Sequence, residues 1–342
     1  MVDFNLSRRQ VALWLVSGIS SGILLLGCSK DIPAAPDAIT YPAHFPPIAY
    51  PNNENKPTQD GIALGRTLFY DKQLSLSGTI SCGSCHSQIH GFADHNTLVS
   101  TGIFNRKGQR NAPPLFNLAW QTNFMWDGGV NHLDVLPLAP LTDTNEMGLP
   151  INQWINKVRE QPRYRPLFSK VYGSDSITEK RTLLALSQFM LSLISSRSKY
   201  DEVLLQRATF SPSEAEGYRL FKTHCNQCHT EPLFTNNQYE RNGATTSGAD
   251  RGRMRITEMP EDLYKFKVPS LRNISLTYPY MHNGKIQNLD AVLTHYQKTL
   301  LDGSLEKMQT GQLSDTDKQA MIDFLLTLTD PIFISNHAFS EP

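Results

Sequence analysis

After a proline-rich segment near the N-terminus, apolar side chains recur at helical spacing, and no stretch shows the alternation typical of a half-buried strand. One apolar stripe predicts a helix over roughly 179–195, and a second predicts a helix over roughly 315–328, capped near Ser314. A third helix should begin at the segment SPSE, where Ser211 can cap the first turn and Glu214 can close a capping box. The hydrophobic pattern therefore predicts a mostly helical protein.

A five-residue phrase occurs once in each half of the chain. It reads GRTLF at residues 65–69 and GYRLF at 217–221, so that glycine, leucine and phenylalanine keep the same spacing. In each half the phrase is followed by a cysteine motif, a long loop and one of the two apolar helices. We therefore interpret the chain as two tandem copies of one helical plan, residues 59–205 and 206–342. The roughly 315 residues after Cys28 are enough for two domains.

Each copy contains one Cys-x-x-Cys-His motif. The motifs consist of Cys82, Cys85 and His86 in the first copy and of Cys225, Cys228 and His229 in the second. The spacing of the cysteines is compatible with half of a zinc site, with a redox-active dithiol or with covalent haem attachment, and the adjacent histidine favours haem. A structural zinc site would need two further ligands near each pair, and no ordered Cys/His spacing supplies them. We therefore predict two cytochrome c-like domains, each with one covalent c-type haem.

The N-terminus indicates the compartment. Residues 1–27 have the form of a bacterial lipoprotein signal peptide, with Arg8 and Arg9 ahead of an apolar stretch that ends in LLGC. Cleavage there would leave Cys28 as an acylated N-terminus, and residues 28–58, which hold seven prolines, would form a tether. An uncleaved membrane-spanning helix is the alternative, but the apolar stretch is shorter than the ~20 residues that a span prefers. We expect a periplasmic protein that is anchored to a membrane by lipid.

The charge balance excludes one class of partner. The chain has 32 basic and 32 acidic residues and a formal net charge of zero. Nothing in this balance indicates nucleic acid or a strongly charged partner surface. We therefore expect no nucleic-acid binding.

Four phrases around the motifs resemble the bacterial di-haem cytochrome c peroxidase family, including its MauG-type members. They are QRNAPPLFN at 109–117, FMWDGG at 124–129, NEMG at 145–148 and FKVPSLRNISLTYPYMHNG at 266–284. The resemblance covers nearly the whole chain from about Pro57 to Leu328. It implies a peroxidase that reduces hydrogen peroxide to water with electrons from a small periplasmic cytochrome c or cupredoxin. The resemblance is also compatible with assembly as a homodimer.

The resemblance implies a role for several residues. The haem on Cys82 and Cys85, haem 1, would be the peroxidatic centre, and Glu146 would be its distal acid/base. Trp126 would lie between the haems as an electron-transfer bridge. Without the resemblance, Glu146 is interpreted as a solvated loop carboxylate and Trp126 as a core aromatic. A calcium ion would bind Asn111 and the backbone carbonyl groups of two further residues, Thr277 and Pro279.

The sixth ligand of the haem on Cys225 and Cys228, haem 2, is expected from the helix that reads LDAVLTHY. Family members use Met or Tyr there. Tyr296 falls on the apolar face of this helix, whereas His295 lies about 100° away around the helix axis. We favour Tyr296 as the ligand and keep His295 and Met308 as alternatives.

Two departures from the family pattern affect haem 1. Resting peroxidases of the family block this haem with a histidine in a loop, and the corresponding phrase STGIFNRKG places Ile103 and Phe104 there. Haem 1 should therefore be open without reductive activation, unless His90 or His95 takes the place of the missing histidine. Leu136 stands where a distal glutamine is frequent, which leaves peroxide positioning to the acidic residue alone.

Three functions remain open at this point. The favoured one is the peroxidase. A MauG-type oxidase that modifies residues of a partner protein is the second, and it is favoured by the tyrosine and by the missing histidine. A non-catalytic di-haem electron carrier is the third, and it would be favoured if Glu146 did not face haem 1.

Overall fold

The computed structural model describes residues 38–342 except 52, 96, 246 and 302–312. Four predicted features lie outside the described residues: the signal peptide, the predicted acylation site Cys28, the first part of the tether and the alternative ligand Met308. Within the described part of the chain, no helix is long and apolar enough to cross a membrane.

The described residues are mostly helical, as predicted. The α-helices are α1 (Gln59–Tyr70), α2 (Cys82–Cys85), α3 (Leu138–Thr142), α4 (Ile151–Glu160), α5 (Tyr164–Tyr172), α6 (Glu179–Ser192), α7 (Lys199–Leu204), α8 (Pro212–His224), α9 (Met254–Thr257), α10 (Leu289–Leu301), α11 (Asp315–Leu326) and α12 (Pro331–Ser335). Two strands of two residues each, β1 (Tyr239–Glu240) and β2 (Phe266–Lys267), pair antiparallel. Single 3₁₀ turns occupy Lys72–Leu74, Gln88–His90, Ile103–Asn105, Leu118–Trp120, Leu133–Val135 and Pro260–Asp262.

The predicted helix starts are confirmed. Ser211 caps α8, and Glu214 closes the capping box by accepting a hydrogen bond from the Ser211 backbone N–H at 2.7 Å. Ser314 caps α11 in the same way. Both apolar helices end two to three residues before the predicted ends, because the carbonyl groups beyond them bind loops instead. The carbonyl oxygen of Leu193 accepts from Asn117, and that of Leu328 accepts from a loop amide, each at about 3 Å.

The repeated five-residue phrase marks the same helix crossing in both halves. A Cβ atom on Gly65 in α1 would lie 1.9 Å from the carbonyl oxygen of Ala185 in α6. A Cβ atom on Gly217 in α8 would lie at the same distance from the carbonyl oxygen of Ala320 in α11. The glycine is therefore required where the two helix backbones touch. In both crossings the phenylalanine of the phrase packs against a phenylalanine of the partner helix, with ring centroids 5.2 Å apart.

The end of the chain packs back onto the first half. Phe333 in α12 contacts Phe92 and Phe116, with ring centroids about 6 Å apart. The Tyr70 hydroxyl of α1 donates to the carbonyl oxygen of Phe339 at 2.8 Å. The two halves are joined further by Asp330, which caps α12 and accepts two backbone N–H groups from the segment before α7. These contacts hold the two cysteine motifs in one compact unit.

Candidate functional site

The first cysteine motif opens onto a cavity of about 410 Å³, which we call the first cavity. Helix α2 is a single turn that presents Cys82 and Cys85, and its hydrogen bonding ends at His86. All three residues line the cavity together with Glu146 and Leu136. The structure thus brings the predicted attachment residues and the predicted acid/base to one space.

The second cysteine motif opens onto a cavity of about 180 Å³, the second cavity. Its lining includes Cys225, Cys228, His229, Tyr296 and the apolar face of α10, which is formed by Leu289, Val292 and Leu293. The adjacent His295 turns away and its Nε2 atom lies 2.7 Å from the carbonyl oxygen of Asn242. Of the two neighbouring candidates for the sixth ligand, Tyr296 is therefore the one that lines the cavity.

Both motif histidines are oriented for metal binding. His86 Nδ1 lies 2.8 Å from the carbonyl oxygen of Phe92, and His229 Nδ1 lies 3.1 Å from those of Phe234 and Pro269. A carbonyl oxygen only accepts, so each Nδ1 donates its proton and each Nε2 keeps a lone pair for a metal. Burial lowers the pKa of both imidazoles, which keeps them in the neutral form that binds a metal.

The donor set and the walls fit a covalently attached haem in each cavity. Burial raises the pKa of the Cys82 and Cys225 thiols to about 12. Both groups are therefore protonated thiols at neutral pH. A zinc site would instead require thiolates and additional ligands. Among the described residues, no group of three or more His, Cys, Asp or Glu side chains could hold a metal ion. Two thiols and one imidazole beside a largely apolar space are what c-type haem requires.

Trp126 lies at the wall between the two cavities and lines both of them. Its indole N–H donates to the carbonyl oxygen of Asn111 at 2.8 Å, and its own carbonyl oxygen accepts from the backbone N–H of Lys267 at 2.7 Å. The indole is thus fixed by side chain and backbone at this wall, and its role as an electron-transfer bridge stays a prediction.

Glu146 is placed by close packing of two loops. A Cβ atom on Gly102 would lie 2.0 Å from the carbonyl oxygen of Asn145, so only glycine allows this approach. The next residue, Ile103, donates its backbone N–H to the carbonyl oxygen of Glu146 at 2.9 Å. Burial, together with the nearby charge of Asp143, raises the pKa of Glu146 to about 7. A carboxyl group with this pKa can both take up and release a proton at neutral pH.

The residues in place of the missing histidine, and the two nearby histidines, do not line the first cavity. Ile103 is buried against Gly148, and Phe104 is 63% exposed. His90 and His95 stack on each other, with ring centroids 3.4 Å apart, and neither lines the first cavity. Within the described part of the chain, His86 is the histidine that lines it.

The residues predicted to bind calcium meet at the second cavity. Asn111, Thr277 and Pro279 all line it. The buried Nδ2 atom of Asn111 has no hydrogen-bond partner among the described residues. The set consists of neutral amide and carbonyl groups, and the calcium site stays a prediction.

The sequence analysis missed two charged features beside the site. Asp127, the residue after Trp126, is fully buried and accepts from Arg110 at 2.7 Å and from Arg255 at 2.6 Å. Arg110 also binds Asp250 through two hydrogen bonds. This cluster fixes the tryptophan loop to the loop before α9. The second feature is Lys267, which lines both cavities. The only signal for either was their position within phrases that resemble the family.

We expect two covalently bound haems per chain, because both motifs are complete and both face a cavity. A pyridine haemochrome assay on the purified protein should return two haems for each polypeptide. Extraction with acid acetone should leave both attached. A single haem per chain, or haem that is released by the acid, would contradict this prediction.

Comparisons with known proteins agree with the geometry. The family described as di-haem cytochrome c peroxidase matches residues 59–209, and the family described as cytochrome c matches residues 214–329. The methylamine utilization protein MauG of Methylophilus methylotrophus is 32% identical over 283 residues, which cover 80% of this chain and 84% of that protein. The cytochrome c551 peroxidase of Nitrosomonas europaea is 35% identical over 276 residues, which cover 79% and 80%.

A solved structure is also similar. It is that of a MauG-like protein associated with microbial copper homeostasis, which is 29% identical to this chain and has a TM-score of 0.77. The likeness covers 88% of this chain and 98% of that protein. The predicted fold class, two cytochrome c-type domains in a mostly helical protein, is confirmed.

Proposed function

The chain belongs to the di-haem cytochrome c peroxidase family, which includes the MauG proteins, and from this we propose that it reduces hydrogen peroxide to water at haem 1. It is an oxidoreductase of the peroxidase type, and its two cytochrome c-type domains imply two haems. The observation that supports peroxide chemistry best is the placement of Glu146, which lines the first cavity with a pKa of about 7.

Different residues of the first cavity would hold the haem, move the proton and exclude water. Haem, when bound, supplies an iron centre that accepts a ligand oxygen and exchanges electrons. His86 would hold the iron from one side, since its Nδ1 is already occupied by the Phe92 carbonyl group. Glu146 would take a proton from one peroxide oxygen and return it to the other. Leu136 and the other apolar walls would keep water from competing for this proton.

Electrons would reach haem 1 from haem 2 past Trp126. The support for this path is that Trp126 lines both cavities and is held rigid by Asn111. A small cytochrome c or cupredoxin would supply the electrons to haem 2. A periplasmic location, a lipid anchor on Cys28 and assembly as a homodimer belong to the same proposal.

A MauG-type oxidase acting on a partner protein is the second candidate. Two observations favour it. Tyr296 lines the second cavity, and the described loop that would carry a blocking histidine carries Ile103 and Phe104 instead. A third candidate, a non-catalytic electron carrier, would be favoured if Glu146 lay away from haem 1, and the position of Glu146 in the lining of the first cavity does not favour it.

Turnover with a soluble donor distinguishes the two enzymes. Purified holoprotein is mixed with hydrogen peroxide and with a reduced small cytochrome c or a reduced cupredoxin, and donor oxidation is followed by absorbance. The peroxidase proposal predicts many turnovers per enzyme with at least one of these donors. Oxidation of the haems by peroxide without catalytic oxidation of any donor would favour the MauG-type activity instead.

The oxidised protein as isolated should show one high-spin ferric haem beside one low-spin haem. The reason is that no histidine other than His86 among the described residues lines the first cavity. The protein should also react with peroxide without prior reduction. Electron paramagnetic resonance of the oxidised protein measures the spin states, and stopped-flow absorbance measures the reaction.

The double variant His90→Ala with His95→Ala is the matched control, since these stacked side chains should not affect either measurement. Two low-spin signals without high-spin iron in the original chain would mean that haem 1 is blocked. If the double variant then restored a high-spin signal, one of the two histidines would be the blocking ligand.

Calcium can be checked directly. Metal analysis of the dialysed holoprotein should return one calcium per chain if Asn111 and the carbonyl groups of Thr277 and Pro279 form the predicted site. The variant Asn111→Ala should lose that calcium.

A further inference from the structure

Lys267 places a cation at the wall that separates the two haem cavities. It is the second residue of β2, and it lines both the first and the second cavity. Its backbone N–H donates to the carbonyl oxygen of Trp126 at 2.7 Å, which ties it to the bridging tryptophan. Burial lowers the pKa of its ammonium group to about 7.

Within the described part of the chain, the ammonium group donates to two neutral partners. Nζ donates to Oε1 of Gln121 and, at 2.9 Å, to the carbonyl oxygen of Asn123. An ammonium group has three N–H donors, so one remains for the cavity side. Among the described residues, no carboxylate lies within ion-pair distance of Nζ. The other buried cations beside the site have such a partner, as Arg110 has Asp127 and Asp250.

A buried charge without an opposite charge is strongly unfavourable, and an apolar side chain of similar size would make the fold more stable. The placement of Lys267 is explained if the missing anion arrives with a ligand of the cavities. Haem has this chemistry, because its macrocycle carries two propionate groups that are ionised at neutral pH. Other charged residues also line the two cavities: Arg110, Asp143, Glu146, Asp250 and Arg255 in the first, and Glu240 and Arg241 in the second. Arg110 and Arg255 are both paired with the buried Asp127. Arg241 is exposed and donates to a backbone carbonyl group.

We propose that Lys267 is the ion-pair partner of a haem propionate at the wall between the two cavities, and that its charge raises the reduction potential of the haem it contacts. A positive charge near the macrocycle stabilises the added electron of the reduced iron. The role concerns the flow of electrons between the haems and does not depend on the substrate that the enzyme oxidises. It requires two bound haems but not peroxide reduction, so the two proposals can fail separately.

The test compares three variants of the holoprotein. Lys267→Met removes the charge and keeps the length of the side chain, and Lys267→Arg keeps the charge. Lys265→Met is the matched control, because Lys265 lies two residues away and is paired with Asp262 at 3.1 Å. The measurements are the haem content, the melting temperature and the midpoint potentials of both haems by spectroelectrochemistry.

The expected result has a definite sign in each measurement. Lys267→Met should lower at least one midpoint potential and lower the melting temperature, and the haem with the larger shift is the one that Lys267 contacts. Lys267→Arg should keep midpoint potentials and a melting temperature close to those of the original chain. Lys265→Met should leave the midpoint potentials of both haems unchanged. If Lys267→Met failed to retain two haems while Lys267→Arg retained them, the haem content alone would show that the positive charge at this position is needed.

Two outcomes would overturn the proposal. A Lys267→Met protein with both midpoint potentials unchanged would show that the charge does not act on either haem. A Lys267→Met protein with a raised melting temperature would show that the ammonium group is unpaired in the holoprotein, as it is among the described residues. Loss of both haems in Lys267→Met and Lys267→Arg alike would also count against it, since the charge alone would then not be what matters.

Discussion

Replacing Glu146 with Gln should lower peroxide turnover on the order of 10²-fold or more, while both haems stay attached. Glutamine has nearly the same shape as glutamate but cannot take up and return a proton. The backbone contact that holds this loop, from the Ile103 N–H to the Glu146 carbonyl group, does not involve the side chain and remains in the variant. Steady-state turnover with a reduced donor measures the loss, and a pyridine haemochrome assay confirms that two haems are present. Full activity in Glu146→Gln would mean that another group moves the proton.

The pH dependence identifies the same residue by a second route. A base acts in its deprotonated form, and the pKa of Glu146 is raised to about 7 by burial and by the charge of Asp143. The rate of the reaction with peroxide should therefore rise as the pH increases through about 7 and then level off. This inflection should be absent from the pH profile of Glu146→Gln.

Asp143→Asn is a control for this assignment. Asp143 is exposed, and its negative charge contributes to the raised pKa of Glu146. Removing that charge should move the inflection to lower pH and leave the plateau rate near its original value. An inflection that stays in place in Asp143→Asn, or that persists in Glu146→Gln, would assign the titration to a different group.

The helices of this protein were predictable because their signals are local. The capping box at Ser211 and the cap at Ser314 depend on residues three positions apart, and both form where they were predicted. The helix ends were less predictable. Leu193 and Leu328 continue the apolar stripe, but their carbonyl groups bind loops that are distant in sequence. An apolar stripe predicts burial, and burial persists beyond the last helical hydrogen bond.

Part of the site was also predictable from local rules. The adjacent Tyr296 and His295 are separated by 100° around α10, so the apolar face alone predicted which of them lines the second cavity. Glu146 and Trp126 are in loops, where periodicity has no meaning, and only their surrounding phrases pointed to them.

The charged residues at the wall could not be predicted. Lys267 lies in a strand of two residues, too short for a period-two pattern, and its position depends on a backbone bond to Trp126. Gly102 looks like an ordinary loop glycine in the sequence. Its role, the close approach to Asn145, exists only in the folded chain. Residues that act by bringing distant loops together leave no local signal.

Replacing Tyr296 with Met should raise the midpoint potential of haem 2 on the order of 0.1 V or more, since axial ligands tune haem potentials over roughly 0.8 V. An anionic tyrosine oxygen stabilises ferric iron, whereas a methionine sulfur favours the ferrous form. Tyr296 lines the second cavity from the apolar face of α10, so a methionine there can reach the same space. Spectroelectrochemistry measures the shift, and the midpoint potential of haem 1 should change less than that of haem 2.

Two further variants determine whether Tyr296 is the ligand. Tyr296→Phe keeps the ring and removes the oxygen, so the low-spin signal of haem 2 in electron paramagnetic resonance should change or disappear. His295→Gln is the matched control, because glutamine can still donate to the Asn242 carbonyl oxygen that His295 contacts at 2.7 Å. It should leave the haem 2 signal unaltered. The reverse pattern would assign the ligand to His295, because loss of the signal would then follow the imidazole and not the phenol. A haem 2 signal unaltered in both variants would favour Met308, the remaining alternative, and the variant Met308→Leu should then remove the signal that the other two variants retain.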